Sequence, residues 1–347
     1  MVSQLSSLKG AALKTLAFRC GIQVSGTKAA LIQRIQNEAQ IEASREAAAS
    51  KRKRTPRQAM RIVSIDMGIR NLAYCVLSVP EGHGKPTIEA WKRLAISSAP
   101  VAPSLSKAEL KVAGARTKEA VQAVKEVEKE SFEPKVMSKS AYQFSRKLLE
   151  YQPTHVLIER QRFRSMGSSH ILEWTVRVNM LESMLYAVLQ TLKEEKAWHG
   201  GIIPIAPGRV GPFWLEEEGM AFDPSEVDEI KEAPLSKTRT SKLAKIQNKG
   251  AKIDLVRNWL ASSDRVELAS GEVSDLAAAY LEKWVKGPGA PKGKRALADS
   301  EVVVEKMGKL DDLADSLLQG MAFLRWEENK QTIREVGWEP LLAFKSS

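Results

Sequence analysis

The sequence predicts an α/β fold, a sheet flanked by helices, with a small helical module ahead of it. Three observations carry this reading. Short β-rich runs punctuated by Gly and Pro begin at residue 62; a further apolar run at 156–158 ends on an acid; and amphipathic helical stripes occupy 171–192 and 309–323. At 347 residues, 43% hydrophobic and 27% charged, the chain is long enough for a full-sized core and a second small module. No stretch approaches the roughly 18 uninterrupted apolar residues of a membrane span, and no secretory signal opens it, so a soluble chain without a membrane partner is expected. Two cysteines, Cys20 and Cys75, make no disulfide framework and suit a reducing compartment. The net charge of +11 points towards a polyanionic partner.

The first element is basic throughout: residues 1–37 carry no acid. Leu5, Leu8, Leu13 and Leu16 give one helical pattern, and Ala30, Leu31, Ile32 and Ile35 a second. Gly21 sits where the first helix stops, and Ser25, Gly26 and Thr27 supply turn and cap chemistry before the second. The free N–H groups there, with Lys28 beside them, suit a phosphate. An acid-free amphipathic N-terminus also reads as an organellar transit peptide. The pattern LKGAALKTLAFRCGIQVSGTKAALIQRI resembles the SAP motif, a two-helix DNA-binding module, over nearly its whole length. That resemblance implies a module over 1–38 that grips duplex DNA by its backbone, with Lys28 and Arg34 as phosphate contacts. Residues 39–60 read as a basic linker, whose KRKR at 51–54 is a nuclear address, a phosphate patch or solvated linker charge.

Next come Ile62 to Ile65, the turn MGIRN, Leu72 to Val79 and a third strand over 87–96, which together make an antiparallel meander. Asp66 ends the first strand, where an Asp either caps the turn or holds something charged. Val156 to Ile158 form a short buried strand closed by Glu159, with Arg160, Arg162 and Arg164 behind it as salt-bridge partners or phosphate contacts. The helix at 171–192 is apolar over more than one face, with Trp174, Leu181, Leu185, Val188 and Leu192 on one side and Leu172, Val176 and Met180 elsewhere. One face packs on the sheet; the surplus, with Leu181 expected to point outward, suits either a partner subunit or enclosure in the chain's own core. The segment at 100–139 reads as a charged helical insertion and those at 216–249 and 284–300 as charged, Pro- and Gly-rich stretches, either DNA-facing or solvated. In the helix at 309–323, Leu310, Leu313, Ala314, Leu317, Leu318 and Met321 form the buried stripe; Asp311 and Asp315 flank it and Asp312 points away.

Acids ending two strands and lining a late helix can converge on one or two divalent cations, since Mg²⁺ prefers hard oxygen ligands. Two such ions activate a water and stabilise the leaving oxygen of a phosphoryl displacement. Histidine offers no substitute: the four present show no zinc-like spacing, and no serine or cysteine nucleophile with its base is visible.

IVSIDMGIRNLAYCVL, VLIERQRFR and KLDDLADSLLQGMAF, in that order, resemble the fungal mitochondrial Holliday-junction resolvases, whose core is ribonuclease H-like and related to RuvC-type resolvases. The resemblance implies a ribonuclease H-like mixed sheet flanked by helices over 61–330, with 331–347 as a tail. It matches Asp66, Glu159 and Asp315 to the family's acids and leaves Asp311 or Asp312 as the fourth; the stripe geometry favours Asp311. It further implies catalysis by Asp66, Glu159, Asp311, Asp312 and Asp315, with Asp66, Glu159, Asp311 and Asp315 holding two Mg²⁺ ions, or Mn²⁺ in their place. Phe163, among the arginines, is positioned to stack on an opened base. The expected partners are four-way junctions, duplex DNA and a second copy in a homodimer; the expected compartment is the mitochondrion, with the nucleus as alternative. A DNA-binding protein with an inactive core is the competing reading. An actin-like ATPase is disfavoured, since no second Gly-rich phosphate loop is present.

Overall fold

The computed structural model describes residues 2–38, 60–80, 84–96, 132–161, 172–218, 238–285 and 310–343. Helices α1 (Val2–Ser7) and α2 (Gly10–Arg19) and a helix over 28–38, α3, make the N-terminal module. Strands β1 (Met60–Asp66), β2 (Leu72–Val79) and β3 (Thr87–Leu94) follow, then α4 (Pro134–Leu149), β4 (His155–Glu159) and α5 (Glu173–Glu194). The chain continues through β5 (Gly201–Ile205), α6 (Pro207–Glu217), α7 (Thr238–Ser262), β6 (Glu267–Leu268) and α8 (Glu272–Val285), and ends in α9 (Leu310–Glu335) and α10 (Glu339–Ala343). None of the described helices is long and apolar enough to cross a membrane.

Among the described residues the sheet runs β5-β4-β1-β2-β3-β6. The meander β1-β2-β3 is antiparallel, as its short turns allow, whereas β4 joins β1 and β5 joins β4 in parallel through helical crossovers. Strand alternation then assigns faces. On β1, Val63 and Ile65 enter the core beneath α4 and α5, while Ile62 enters the core beneath α9, where Ser64 also bonds Gln319. The same alternation sends Leu157 of β4 and Trp91 of β3 to the α9 face, Trp91 donating to the carbonyl of Leu313 at 2.9 Å. Pro204 within β5 fits an edge strand, which can spare an N–H.

Helix α9 lies flat on the sheet because Gly320 permits it: a Cβ there would meet Leu77 at 2.8 Å and the Cβ of Ser64 at 3.2 Å. Gln319 locks the contact by donating to Ser64 Oγ at 3.2 Å and the Ile65 carbonyl at 3.1 Å. The far half of α9 carries the N-terminal module. Gly21 takes a left-handed φ of +67°, ending α2 where the sequence indicates, and its missing Cβ leaves room for the Trp326 ring, which a side chain would meet at 2.4 Å. Arg19, only 8% exposed, pairs with Glu216 of α6 at 2.9 Å and donates to the Leu341 carbonyl, while its own carbonyl accepts from Asn329 at 2.6 Å.

Several expectations change in detail. The first helical pattern is two helices, broken at Leu8–Lys9. Residues 1–38 were expected as a separate module, yet Leu13, Phe18 and Ile35 belong to the same buried cluster as α9. Residues 331–343, expected as a tail, continue α9 and add α10, with Ile333 and Leu341 buried. Leu181 is fully buried rather than outward, because Val178, Leu181, Leu185 and Leu189 form the inner face of α5; Trp174 and Val176 are its exposed apolar residues. The linker over 39–59 and most of the charged segments fall outside the described residues.

Candidate active site

Two strand ends and one helix start meet at a single cleft. Asp66 shares its strand parity with Ile62 and Ser64, and Glu159 shares that of Leu157, so both carboxyls emerge on the α9 face at adjacent ends of the parallel pair β1 and β4. Asp312 and Asp315, three apart and therefore on one side of α9, close the cleft from above. The resulting cavity of about 300 Å³ is lined by these four acids together with residues 67–69 and Asn71 of the turn after β1, Gln161 and Trp174.

Gathering acids in a partly buried place has an electrostatic consequence. Burial first, then the charge of Glu159 and a hydrogen bond with it, then the charges of Asp315 and Asp312, hold the Asp66 carboxyl well above its usual range. Glu159 is restrained by donors: Met67 N–H reaches its Oε2 at 3.2 Å and Gln161 Nε2 reaches the same oxygen at 3.4 Å. Gln161 is anchored in turn by its N–H to Glu182 of α5 at 3.0 Å, where burial also raises the Glu182 carboxyl.

Two cations offset the remaining charge. Arg93, which shares the parity of Trp91, donates from Nε to Asp312 Oδ2 at 3.1 Å and from its second branch to Asn71 Oδ1. Lys252 of α7 donates to Asp315 Oδ1 at 2.7 Å. Among the described residues, no three His, Cys, Asp or Glu side chains are drawn into one ligand cluster. With Arg93 and Lys252 each engaging one acid, the four carboxylates line a cleft and do not yet enclose a point. The donor set is all hard oxygen, and the crowding of negative charge that raises the Asp66 carboxyl is what a divalent cation between these acids would relieve. The residues fit such an ion.

The acids Asp66, Glu159 and Asp315 come together as the sequence indicates, but Asp312 joins them in place of Asp311. A stripe places Asp311 at the core edge only where a helix buries one narrow face, and α9 buries more than that. Its buried residues include Leu313, Ala314, Ser316, Leu317, Leu318, Gln319 and Gly320, so the helix is enclosed nearly all round and the cleft is reached from a different side. Asp311 is not among the residues lining the cleft; its charge, after that of Asp315, reaches Tyr280 of α8. Arg160 is exposed next to Glu159, whereas Arg162, Phe163 and Arg164 lie outside the described residues. Lys28 and Arg34 serve their own module: Lys28 Nζ donates to the Ser6 carbonyl at 2.6 Å, and Arg34 bonds the carbonyls of Gln23, at 3.2 Å, and Ser25. Arg93 and Lys252 have no place in the sequence reading, and Trp174 enters it only as part of the apolar face of the helix at 171–192, not as a cleft residue. The parity of Arg93 with a buried Trp was a usable signal; nothing local distinguishes Lys252.

The chain is 27% identical over 272 residues to the mitochondrial cruciform cutting endonuclease 1 of Schizosaccharomyces pombe, covering 77% of this chain and 78% of that protein. It is 25% identical over 339 residues to the protein of the same name from Saccharomyces cerevisiae, covering 94% and 84%. The crystal structure of the yeast mitochondrial Holliday junction resolvase Ydc2 superposes with a TM-score of 0.53 at 23% identity, covering 97% of this chain and 99% of that one. That likeness gives the six-stranded mixed sheet and its flanking helices the fold of that resolvase. Residues 62–333, which hold all four cleft acids, match the family described as mitochondrial resolvase Ydc2 / RNA splicing MRS1, and the chain belongs to that family.

Proposed function

We propose that the chain is a structure-selective endonuclease that resolves four-way DNA junctions by symmetric, metal-dependent phosphodiester hydrolysis in mitochondrial DNA recombination. The observation that carries this reading is the convergence of Asp66, Glu159, Asp312 and Asp315 on one cleft in a family whose named relatives cut cruciform DNA. The family description also covers an RNA-splicing branch; the intact acid set favours the nuclease.

In this reading Asp66, Glu159, Asp312 and Asp315 hold divalent cations, two Mg²⁺ per site with Mn²⁺ as substitute. When bound, the ions supply an activated water and a counter-charge for the leaving oxygen. Asp66 and Glu159, fixed at the ends of paired strands, keep two ligands at a set spacing. Arg93 holds Asp312 against the turn after β1. Lys252 keeps a positive charge at the cleft to meet the phosphate entering it. Two copies related by a two-fold axis would match the symmetry of a four-way junction and nick it twice.

Cleavage of a four-way junction, a fork and a linear duplex, each with Mg²⁺ and with EDTA, tests the proposal. Paired nicks in the junction alone, abolished by EDTA, are expected. Binding without cutting under every metal condition would leave the inactive-core reading in its place.

A further inference from the structure

At the mouth of the acid cleft stands an aromatic side chain outside the buried core and without a part in the acid chemistry. Trp174, in the first turn of α5, lines the same cavity as the four acids, yet 40% of it is exposed. It is the most exposed tryptophan among those whose side chains are described, Trp91, Trp198, Trp214, Trp259 and Trp326 all being buried. The ring is held on two sides. The Arg70 guanidinium, on the turn after Asp66, lies 5.4 Å from its centre, and Phe132 meets it edge to face at 6.1 Å. Phe132 is itself capped by Arg177 at 3.6 Å, and Arg177 is tied to Glu173. An exposed indole pinned by a cation and a second ring, at the lip of a site that handles phosphate, has the makings of a stacking platform.

We propose that Trp174 receives an unstacked nucleobase of the strand being cut, next to the phosphate in the acid cleft, with Arg70 pairing with the neighbouring backbone. This rests on the nuclease reading of the cleft. Charge complementarity selects the occupant: a nucleotide brings the π-face of its base to the indole and its phosphate to Arg70, which a hydrophobic protein surface does not. Four-way junctions supply such bases at the crossover, where stacking changes direction, whereas a continuous duplex keeps its bases paired. Trp174 is therefore a specificity-determining residue, acting on which phosphate enters the cleft rather than on the bond itself.

The test places 2-aminopurine, a fluorescent base analogue, at successive positions around the crossover and compares full-length wild type, W174A and W174F bound to the junction in EDTA. Stacking on an indole quenches 2-aminopurine, so at one crossover position the W174A complex should be brighter than wild type, with W174F between them. In Mg²⁺, W174A should cut the junction about 5- to 140-fold more slowly under single-turnover conditions, with W174F recovering most of the loss. Equal emission from wild type and W174A at every position overturns the platform. So does a W174A protein that sediments at half the wild-type mass, since Trp174 would then be a contact between copies. A wild type that cuts no junction in Mg²⁺ overturns the nuclease reading instead, while the emission comparison still decides the platform.

Discussion

Asp66 sits where two requirements compete: in the proposed function its carboxyl holds a cation, and burial beside Glu159 makes it hold a proton more readily than a free Asp does. Its raised pKa makes the folded chain bind that proton more tightly than the unfolded chain does. The stabilisation is therefore full below the ordinary Asp range, about 3.9, and is lost as pH rises through the elevated value. Asp66→Asn, neutral throughout, should raise the melting temperature of the EDTA-treated protein at pH 7, the gain shrinking towards pH 4. Mg²⁺ should stabilise wild type more than the variant, and differential scanning calorimetry with and without the ion checks both. Activity should move the opposite way: since losing an outer-shell partner already costs 10- to 100-fold, Asp66→Asn and Asp315→Asn should each lower junction cutting by about 100-fold or more while DNA binding persists. The paired loss in the double variant should be far from additive. Between the neighbouring acids, Asp312→Asn should damage cutting more than Asp311→Asn, because Asp312 lines the cleft and Asp311 does not. Equal single-turnover rates for the two would remove Asp312 from the site.

Individual elements differ in how far the sequence discloses them, and α9 shows both extremes. Its acids and apolar repeat are visible in residues 309–323, as are the strands around Asp66 and Glu159, because short β-rich runs ending abruptly on a carboxylate are a local signal. Which aspartate faces the cleft is not local: it depends on α6 and α7 packing against the side of α9 that a stripe argument leaves to solvent. Strand β5 was hidden by its Pro and Gly, and Arg93 and Lys252 find their acids across 219 and 63 residues of chain. The seating of α9 on the sheet depends on Gly320. Gly320→Val should force the helix off Ser64 and Leu77, destabilising the fold by about 1–3 kcal/mol or more and slowing cutting, since Asp315 and Asp312 ride on the same helix. Denaturant unfolding with single-turnover cleavage measures both; a variant as stable and as active as wild type would show that the seating is unimportant.

At the scale of the whole molecule, the N-terminal module and the cleft share one buried core. Arg19→Ala leaves the Glu216 carboxylate and the Leu341 carbonyl without their buried partner and should cost about 3–5 kcal/mol by denaturant unfolding. Removing residues 1–38 should yield a poorly soluble, destabilised protein rather than a trimmed nuclease, because Trp326 and Phe213 would lose their cover from Gly21 and Phe18. A soluble deletion variant with wild-type stability would show instead that the module is an appendage. Helix α9 also sets a distance. Eighteen residues separate Asp312, at the cleft, from Lys330, which grips Glu38 of the module at 3.2 Å; at 1.5 Å per residue that is roughly 27 Å. Duplex advances about 3.4 Å per base pair, so the span corresponds to about eight base pairs. The helix is thus a yardstick as well as a scaffold: it holds the joint between Lys330 and Glu38 roughly 27 Å from the cleft acids, so a duplex reaching from the cleft to that joint would need about eight base pairs.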